Sequence, residues 1–256
     1  VNALGCGVAN PGEAVDTTGT VECICPLFAS IPETLDFERE NYACVPYLDG
    51  KGYVTYAYNI SGGAVVRWYR DSLAFYLKEA AKQRGCSVYD ILNETCPAEP
   101  TGLIVLPFLQ GMGGTPDVLT GARGTIYGLT MHTSPADIYR AILEGLTFEM
   151  RYNLEKLAKY DIRPTTLFAA GGGAKSPVWR QIKADILGAE LRPTLAGEAG
   201  ALGSAILGLA AATGETDRTA LAARFVRYGQ TAKPDAQRHA YYEKQFALYK
   251  ELREFE

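Results

Sequence analysis

An α/β domain is expected from three features of the sequence. The first sixty residues read as short strands separated by turns, a helical middle follows, and residues 166–195 run as strand, glycine turn, helix and strand. At 256 residues and 47% hydrophobic composition the chain can bury a sizeable core. No internal repeat and no low-complexity linker divides it, so residues 1–256 are expected to form one domain.

Taken in order, residues 13–16 and 21–27 read as strands joined by the turn Thr-Thr-Gly-Thr at 17–20. Residues 42–47 and 53–60 read as a hairpin turning at Asp49-Gly50. After Ser61-Gly62-Gly63 a helix is expected over residues 64–83, with Ala64, Trp68, Leu73 and Leu77 on one face. Residues 103–109 form an apolar run of strand length, and residues 111–124 a Gly-, Thr- and Pro-rich loop longer than most connections. Ser134 then caps a long helix that Pro135 opens. Asp137 lies in its first turn, and Ile138, Ile142, Leu146, Met150 and Leu154 mark its buried stripe.

The most informative unit comes next. Residues 166–170 read as a buried strand, and Gly171, Gly172 and Gly173 remove every side chain where the backbone bends. Ser176 as N-cap and Pro177 as first helical residue fix where the following helix starts. The positive end of that helix then points towards the glycines, where a phosphate or a ribose has room to rest. Contiguous glycines do not match the G-x-G-x-x-G dinucleotide fingerprint, which is set aside. Residues 190–195 add a strand. Residues 199–213 form a small-residue helix, expected to be buried, and residues 234–255 a packing helix on the exterior with Tyr242, Phe246 and Tyr249 at helical spacing.

Composition narrows the function. With 25 basic and 29 acidic residues and a net charge of −4, no basic field invites nucleic acid or an anionic membrane. No apolar run has the roughly 18 to 20 residues of a membrane span, and no signal peptide is visible, so a cytoplasmic protein acting on small ligands is expected. The six cysteines contain no C-x-x-C pair and the two histidines, His132 and His239, stand apart, so no metal site is expected. Cys23 and Cys25 alternate on one side of a strand and read as structural thiols. The chain opens at Val1 without an initiator methionine, in an apolar stretch without a helix cap, and reads as part of something longer.

Six motifs occur in a fixed order: TTGT, GGAVVRW, ARGTIYGLT, EGLTFEMRYNLEKL, GGGAKSPVWRQIKADILG and EAGALGSAILG. Together they resemble the FGGY carbohydrate kinases over nearly the whole chain. The resemblance implies a ribonuclease-H-like domain, a mixed sheet flanked by helices, as in actin, hexokinase and the Hsp70 ATPase. It implies the C-terminal, nucleotide-binding half of a sugar kinase that uses ATP and Mg²⁺, with ATP/ADP and a sugar as partners. The N-terminal domain that supplies most sugar contacts is expected to be missing. The catalytic aspartate of the family is expected just upstream of Val1, so no catalytic residue is assigned in the chain, and Asp16 matches the position before the phosphate turn.

Carried over residue by residue, Thr18, Gly19 and Thr20 match the turn that approaches the terminal phosphates, a role suited to hydroxyls and a glycine amide. Gly63 and Arg67 lie one turn apart at the start of a helix facing the nucleotide. Arg67 there reaches a phosphate, stacks on adenine, or stands solvated. Gly172, Gly173, Ala174, Lys175 and Ser176 match the adenosine element, with Lys175 either on the nucleotide or simply exposed. Glu198 and Gly200 close the adenine pocket or serve packing. Met112-Gly113-Gly114 stands where xylulokinase-like members carry Gly-Glu-Arg, which leans towards a fuculokinase-like or uncharacterised branch acting on a pentulose, a deoxy-ketose or a related sugar, with D-xylulose still open. Two alternatives stand beside this reading: a non-catalytic nucleotide-binding regulatory module, and an assembly role in which the aromatic tail and the cleft face mediate a homodimer.

Overall fold

The computed structural model describes residues 1–48, 50 and 52–255. A short helix α1 (Asn2–Gly5) leads into the antiparallel pair β1 (Glu13–Thr18) and β2 (Glu22–Phe28). Then come α2 (Asp36–Arg39), β3 (Val45–Pro46), β4 (Tyr53–Val54), β5 (Ala57–Asn59), and the helices α3 (Gly63–Ser72), α4 (Leu77–Arg84) and α5 (Val88–Thr95). The small ribbon β6 (Ile104–Leu106) and β7 (Thr125–Tyr127) precedes the long helix α6 (Pro135–Leu157). A parallel βαβ unit follows, β8 (Thr166–Gly171), α7 (Pro177–Leu187) and β9 (Glu190–Pro193). Helices α8 (Ala199–Thr213), α9 (Arg218–Ala223) and α10 (Ala236–Arg253) close the chain.

Among the described residues, seven strands form one mixed sheet in the order β3-β4-β2-β1-β8-β9, with β5 also pairing β2. Alternation along the strands feeds two cores. Ala14, Ile24, Leu167, Ala169 and Leu191 pack with Met150 and Leu157 of α6 on one face. Val15, Leu27, Phe168 and Ala170 pack with Ala3, Cys6 and Ala199 on the other. A third and larger cluster joins α3, β6, α6, α7 and α10.

Several expectations are corrected here. The expected strand over 53–60 is two strands on different parts of β2: Val54 and Tyr53 pair Leu27 and Phe28, while Ala57 to Asn59 pair Ile24 to Glu22. Pro26 lies between the two pairings and has no N–H to offer the ladder. Its strand partner over 42–47 shrinks to Val45–Pro46, and the turn residue Asp49 lies outside the described residues. The helix expected over 64–83 breaks between Ser72 and Leu77, where the chain turns to bury Ala74. The face that it buries is Val65, Val66 and Tyr69, whereas Trp68 and Leu73 are 39% and 40% exposed.

Helix α6 is buried on all sides through its middle rather than along one stripe, with Arg140, Glu144, Thr147 and Glu149 as inaccessible as its apolar residues. Helix α8, expected to be buried, packs along one edge only. A side chain on Gly203 would meet Val1 O at 2.3 Å, but Gly208 has nothing within 4 Å. Small residues permit close packing without requiring it on every face. The tail aromatics are the converse case: Tyr242, Phe246 and Tyr249 are buried against α6 and α7, so they offer no exposed surface for self-association. Cys23 and Cys25 share a face as expected, with Sγ atoms 3.5 Å apart, although both are only half-buried. No described helix is long and apolar enough to cross a membrane.

Candidate functional site

The parallel register places Thr18, at the carboxyl end of β1, directly beside Gly171, at the carboxyl end of β8. The turn leaving each strand therefore lies side by side at one edge of the sheet, the usual place for a ligand in α/β folds. A cavity of about 510 Å³ opens there. Thr18, Gly19, Thr20, Gly63, Arg67, Gly172, Gly173, Lys175 and Ser176 all line it, so nine of the ten residues singled out in the sequence meet at one place. Ala174 does not line it and packs partly buried against the Leu167 cluster.

The glycines act differently from one another. A side chain on Gly171, which has φ +84°, would meet Thr18 O at 2.4 Å, and one on Gly173 would meet Thr18 Cβ at 2.7 Å. One on Gly63 would meet Gly19 O at 2.3 Å. Gly171 and Gly63 let backbones of the protein touch each other, and Gly173 makes room for the Thr18 side chain. Gly19 and Gly172 have no neighbour closer than 3.8 Å and are the ones that leave space for a ligand.

Helix α3 has no side-chain cap, and its first amides are satisfied by the turn itself: Gly63 N donates to Gly19 O at 2.9 Å and Ala64 N to Thr20 O at 3.0 Å. The phosphate-turn candidate is thereby clamped to the helix. Ser176 caps α7 by accepting from Trp179 N and gives its own proton to Asn93 Oδ1 at 2.8 Å. Its proton is thus spent inside the protein. Arg67 and Lys175 are exposed at the cavity, with no ion-pair partner among the described residues. Glu198 and Gly200 do not line the cavity: Gly200 packs against Asn2 at the start of α8, and Glu198 is exposed. Gly113 and Gly114 bridge to β5, where Ile60 N donates to Gly113 O, and do not line the cavity.

Two groups of site residues escaped the sequence reading. Helix α5 contributes Ser87, Tyr89, Asp90 and Asn93 to the wall, with Val66, Arg70, Tyr139 and Trp179 beside them. A signal was present, since Ser87-x-x-Asp90 before Ile91-Leu92 is a capping box, and both of its reciprocal bonds are made. The second group carries no local signal. Lys183 of α7 is buried beneath the turn, 2.6 Å from Asp16 Oδ2, 2.6 Å from Glu22 Oε1 and 2.7 Å from Thr18 Oγ1. Burial works against its charge, but Asp16 and Glu22 together outweigh that and hold its proton above the ordinary lysine range. Burial pushes the Glu22 carboxyl up to about 7, against the pull of Lys183.

Three helices, α3, α5 and α7, begin at this cavity, through Gly63, Ser87 and Ser176. Their positive ends, with Arg67 and Lys175, make it suited to an anion, while Val66, Tyr89, Tyr139 and Trp179 offer an apolar wall.

Comparison with known proteins agrees with this architecture. Residues 25–212 match the model of the FGGY family of carbohydrate kinases, C-terminal domain. A gluconokinase of Bacillus licheniformis is 34% identical over 221 residues, 84% of this chain and 41% of its own length. A ribulokinase of Anoxybacillus flavithermus is 31% identical over 98% of this chain and 46% of its own length. The crystal structure of gluconate kinase from Lactobacillus acidophilus superposes with a TM-score of 0.80 at 26% identity, covering 99% of this chain and 49% of that one. The chain thus spans less than half the length of the curated relatives it matches. With most of its length inside the family match, the chain belongs to the FGGY family of carbohydrate kinases and corresponds to their C-terminal domain.

Proposed function

We propose that this chain is the ATP-binding half of a sugar kinase, which moves the γ-phosphoryl group of ATP to a hydroxyl of a pentulose, deoxy-ketose or related sugar. One observation carries the reading: three helix N-termini and two unpaired cations converge on a cavity at the carboxyl ends of β1 and β8. Relatives named for gluconate, ribulose and xylulose support a small polyhydroxylated acceptor.

The cavity fits a nucleotide in size and in chemistry. Thr18, Gly19 and Thr20 would hold the terminal phosphates, and Arg67 and Lys175 would balance their charge. Gly172 would let the ribose lie against backbone, with Gly173 keeping Thr18 close beside it and the base on the aromatic wall. Mg²⁺ would neutralise charge on the transferred group. Among the described residues no three His, Cys, Asp or Glu side chains are placed to hold a metal ion, and the ion would enter on the phosphates with its water shell. Preorganised donors of this kind act by stabilising charge and orienting the phosphoryl group.

The acceptor hydroxyl also needs a base. Among the described residues Asp90 is the one carboxylate lining the cavity, and it is bound into its capping box. Asp16 is buried in its pairing with Lys183. By resemblance to the FGGY kinases, the base would be an aspartate of a longer protein ahead of Val1, and that protein would also carry most of the sugar pocket as a separate domain. Calorimetric titration with Mg-ADP tests the donor half: the unmodified chain should bind, and Gly173→Val, which drives a side chain into Thr18, should not. Sugar phosphorylation by the 256 residues alone would overturn the division of labour.

A further inference from the structure

The buried cluster under the turn is more elaborate than a phosphate-binding turn requires. Lys183 is held by charge from two strands, Asp16 on β1 and Glu22 on β2, and its Nζ lies 4.9 Å from the Trp179 ring centre. Glu22 Oε2 has no hydrogen-bond partner, and neither have the buried Asn59 Nδ2, opposite Glu22 in the strand register, and Ser61 Oγ. A lysine and two carboxylates in such a place are costly to desolvate. What they share is Thr18.

The Thr18 hydroxyl has one proton and two lone pairs. Lys183 Nζ donates to its oxygen at 2.7 Å, occupying a lone pair. Among the described residues its other side-chain partner is Asp16 Oδ1, to which the hydroxyl donates a long, weak bond of 3.4 Å. That carboxylate is itself engaged by Lys183 through Oδ2 at 2.6 Å. So weakly held a proton can turn to a ligand in the cavity, which Thr18 lines although it is 1% exposed.

We propose that Lys183 is a positioning residue for the phosphate turn: by holding Thr18 Oγ1 as an acceptor and drawing Asp16 away from it, Lys183 presents the Thr18 proton to a nucleotide phosphate. Without the lysine, the long Thr18-to-Asp16 bond shortens to full strength and Thr18 offers the cavity a lone pair, which repels a phosphate oxygen. Lys183 also offsets one of the two negative charges that Asp16 and Glu22 would otherwise place behind the anion. The proposal rests on the nucleotide reading of the cavity.

The test is a double-mutant cycle on the 256-residue chain, with Mg-ADP and the non-hydrolysable Mg-AMP-PNP as calorimetric ligands. Thr18→Val and Lys183→Met should each weaken binding roughly tenfold or more, the worth of one hydrogen bond to a charged group. The pair together should weaken it no further than the larger single effect, and Thr18→Ser should keep the affinity. Should Lys183→Met fail to fold, Asp16→Asn/Lys183→Met removes the ion pair without leaving that charge unbalanced, and the same loss is expected. Unchanged affinity in either lysine variant, or a Lys183→Met loss that persists in full on the Thr18→Val background, overturns the role of Lys183 alone. No binding by the unmodified chain overturns the nucleotide site and this inference with it.

Discussion

Substituting Gly63 by alanine isolates the clamp between the turn and helix α3. The added Cβ would stand 2.3 Å from Gly19 O, about 1 Å short of van der Waals contact. The obstruction is backbone, so no side chain can swing away. A retreat of about 1 Å stretches the bonds from Gly63 N to Gly19 O and Ala64 N to Thr20 O, now 2.9 and 3.0 Å, beyond hydrogen-bonding range. Losing two net bonds costs about 1–3 kcal/mol. Alanine returns up to about 1 kcal/mol of helix propensity, and less at a helix terminus. The net is a destabilisation of about 1–2 kcal/mol, or roughly 2–8 °C in melting temperature for a chain of this size. Calorimetry should show that shift together with weaker Mg-ADP binding, because the displaced turn carries Thr18 to Thr20. A Gly63→Ala protein that melts at or above the unmodified chain and binds nucleotide equally would show that propensity outweighs the contact.

Other outcomes follow from buried charge. Glu22, facing Lys183, Asp16, Cys23 and Asn59, has its carboxyl raised by burial from 4.5 to about 7, so the folded chain holds this proton more tightly than the unfolded one. The stabilisation is complete below about pH 4.5 and is lost as pH rises through about 7. Glu22→Gln keeps the neutral form, and should gain on the unmodified chain by on the order of 3 kcal/mol between pH 5 and pH 8. Urea titrations showing a pH-independent difference would refute this. On the far side, Arg253 pairs with buried Glu149 at 3.1 Å, and Tyr249 donates to the same carboxylate at 2.6 Å. Arg253→Met leaves that charge without a cation and should cost about 3–5 kcal/mol in urea unfolding, with nucleotide affinity little changed.

What was legible in the sequence was whatever is encoded within a few residues. Ser176-Pro177 and Ser134-Pro135 fixed two helix starts because a cap acts on amides two or three residues away. The strand entering Gly171 was likewise readable, and so, on inspection of Ser87-x-x-Asp90, was α5. Exposure was less so: apolar periodicity placed Trp68 inwards and small residues placed α8 in the interior, because both record which faces can be buried rather than which neighbour arrives to bury them.

The six ordered motifs carried the family, and with it the list of candidate site residues. They did not say why each residue was there. Gly63, Gly171 and Gly173 make room for protein backbone or for Thr18, and only the sheet register, with Thr18 beside Gly171 more than 150 positions away, shows it. Lys183 meets Asp16 across 167 positions, and reads in sequence as one polar residue on an amphipathic helix. Caps, turns and periodicity are short-range and survive in the sequence, whereas contact between distant charges exists only after the sheet has closed and the helix has packed. The sequence therefore determined the elements and the family; the tertiary structure decided which side chains stand behind the phosphate turn.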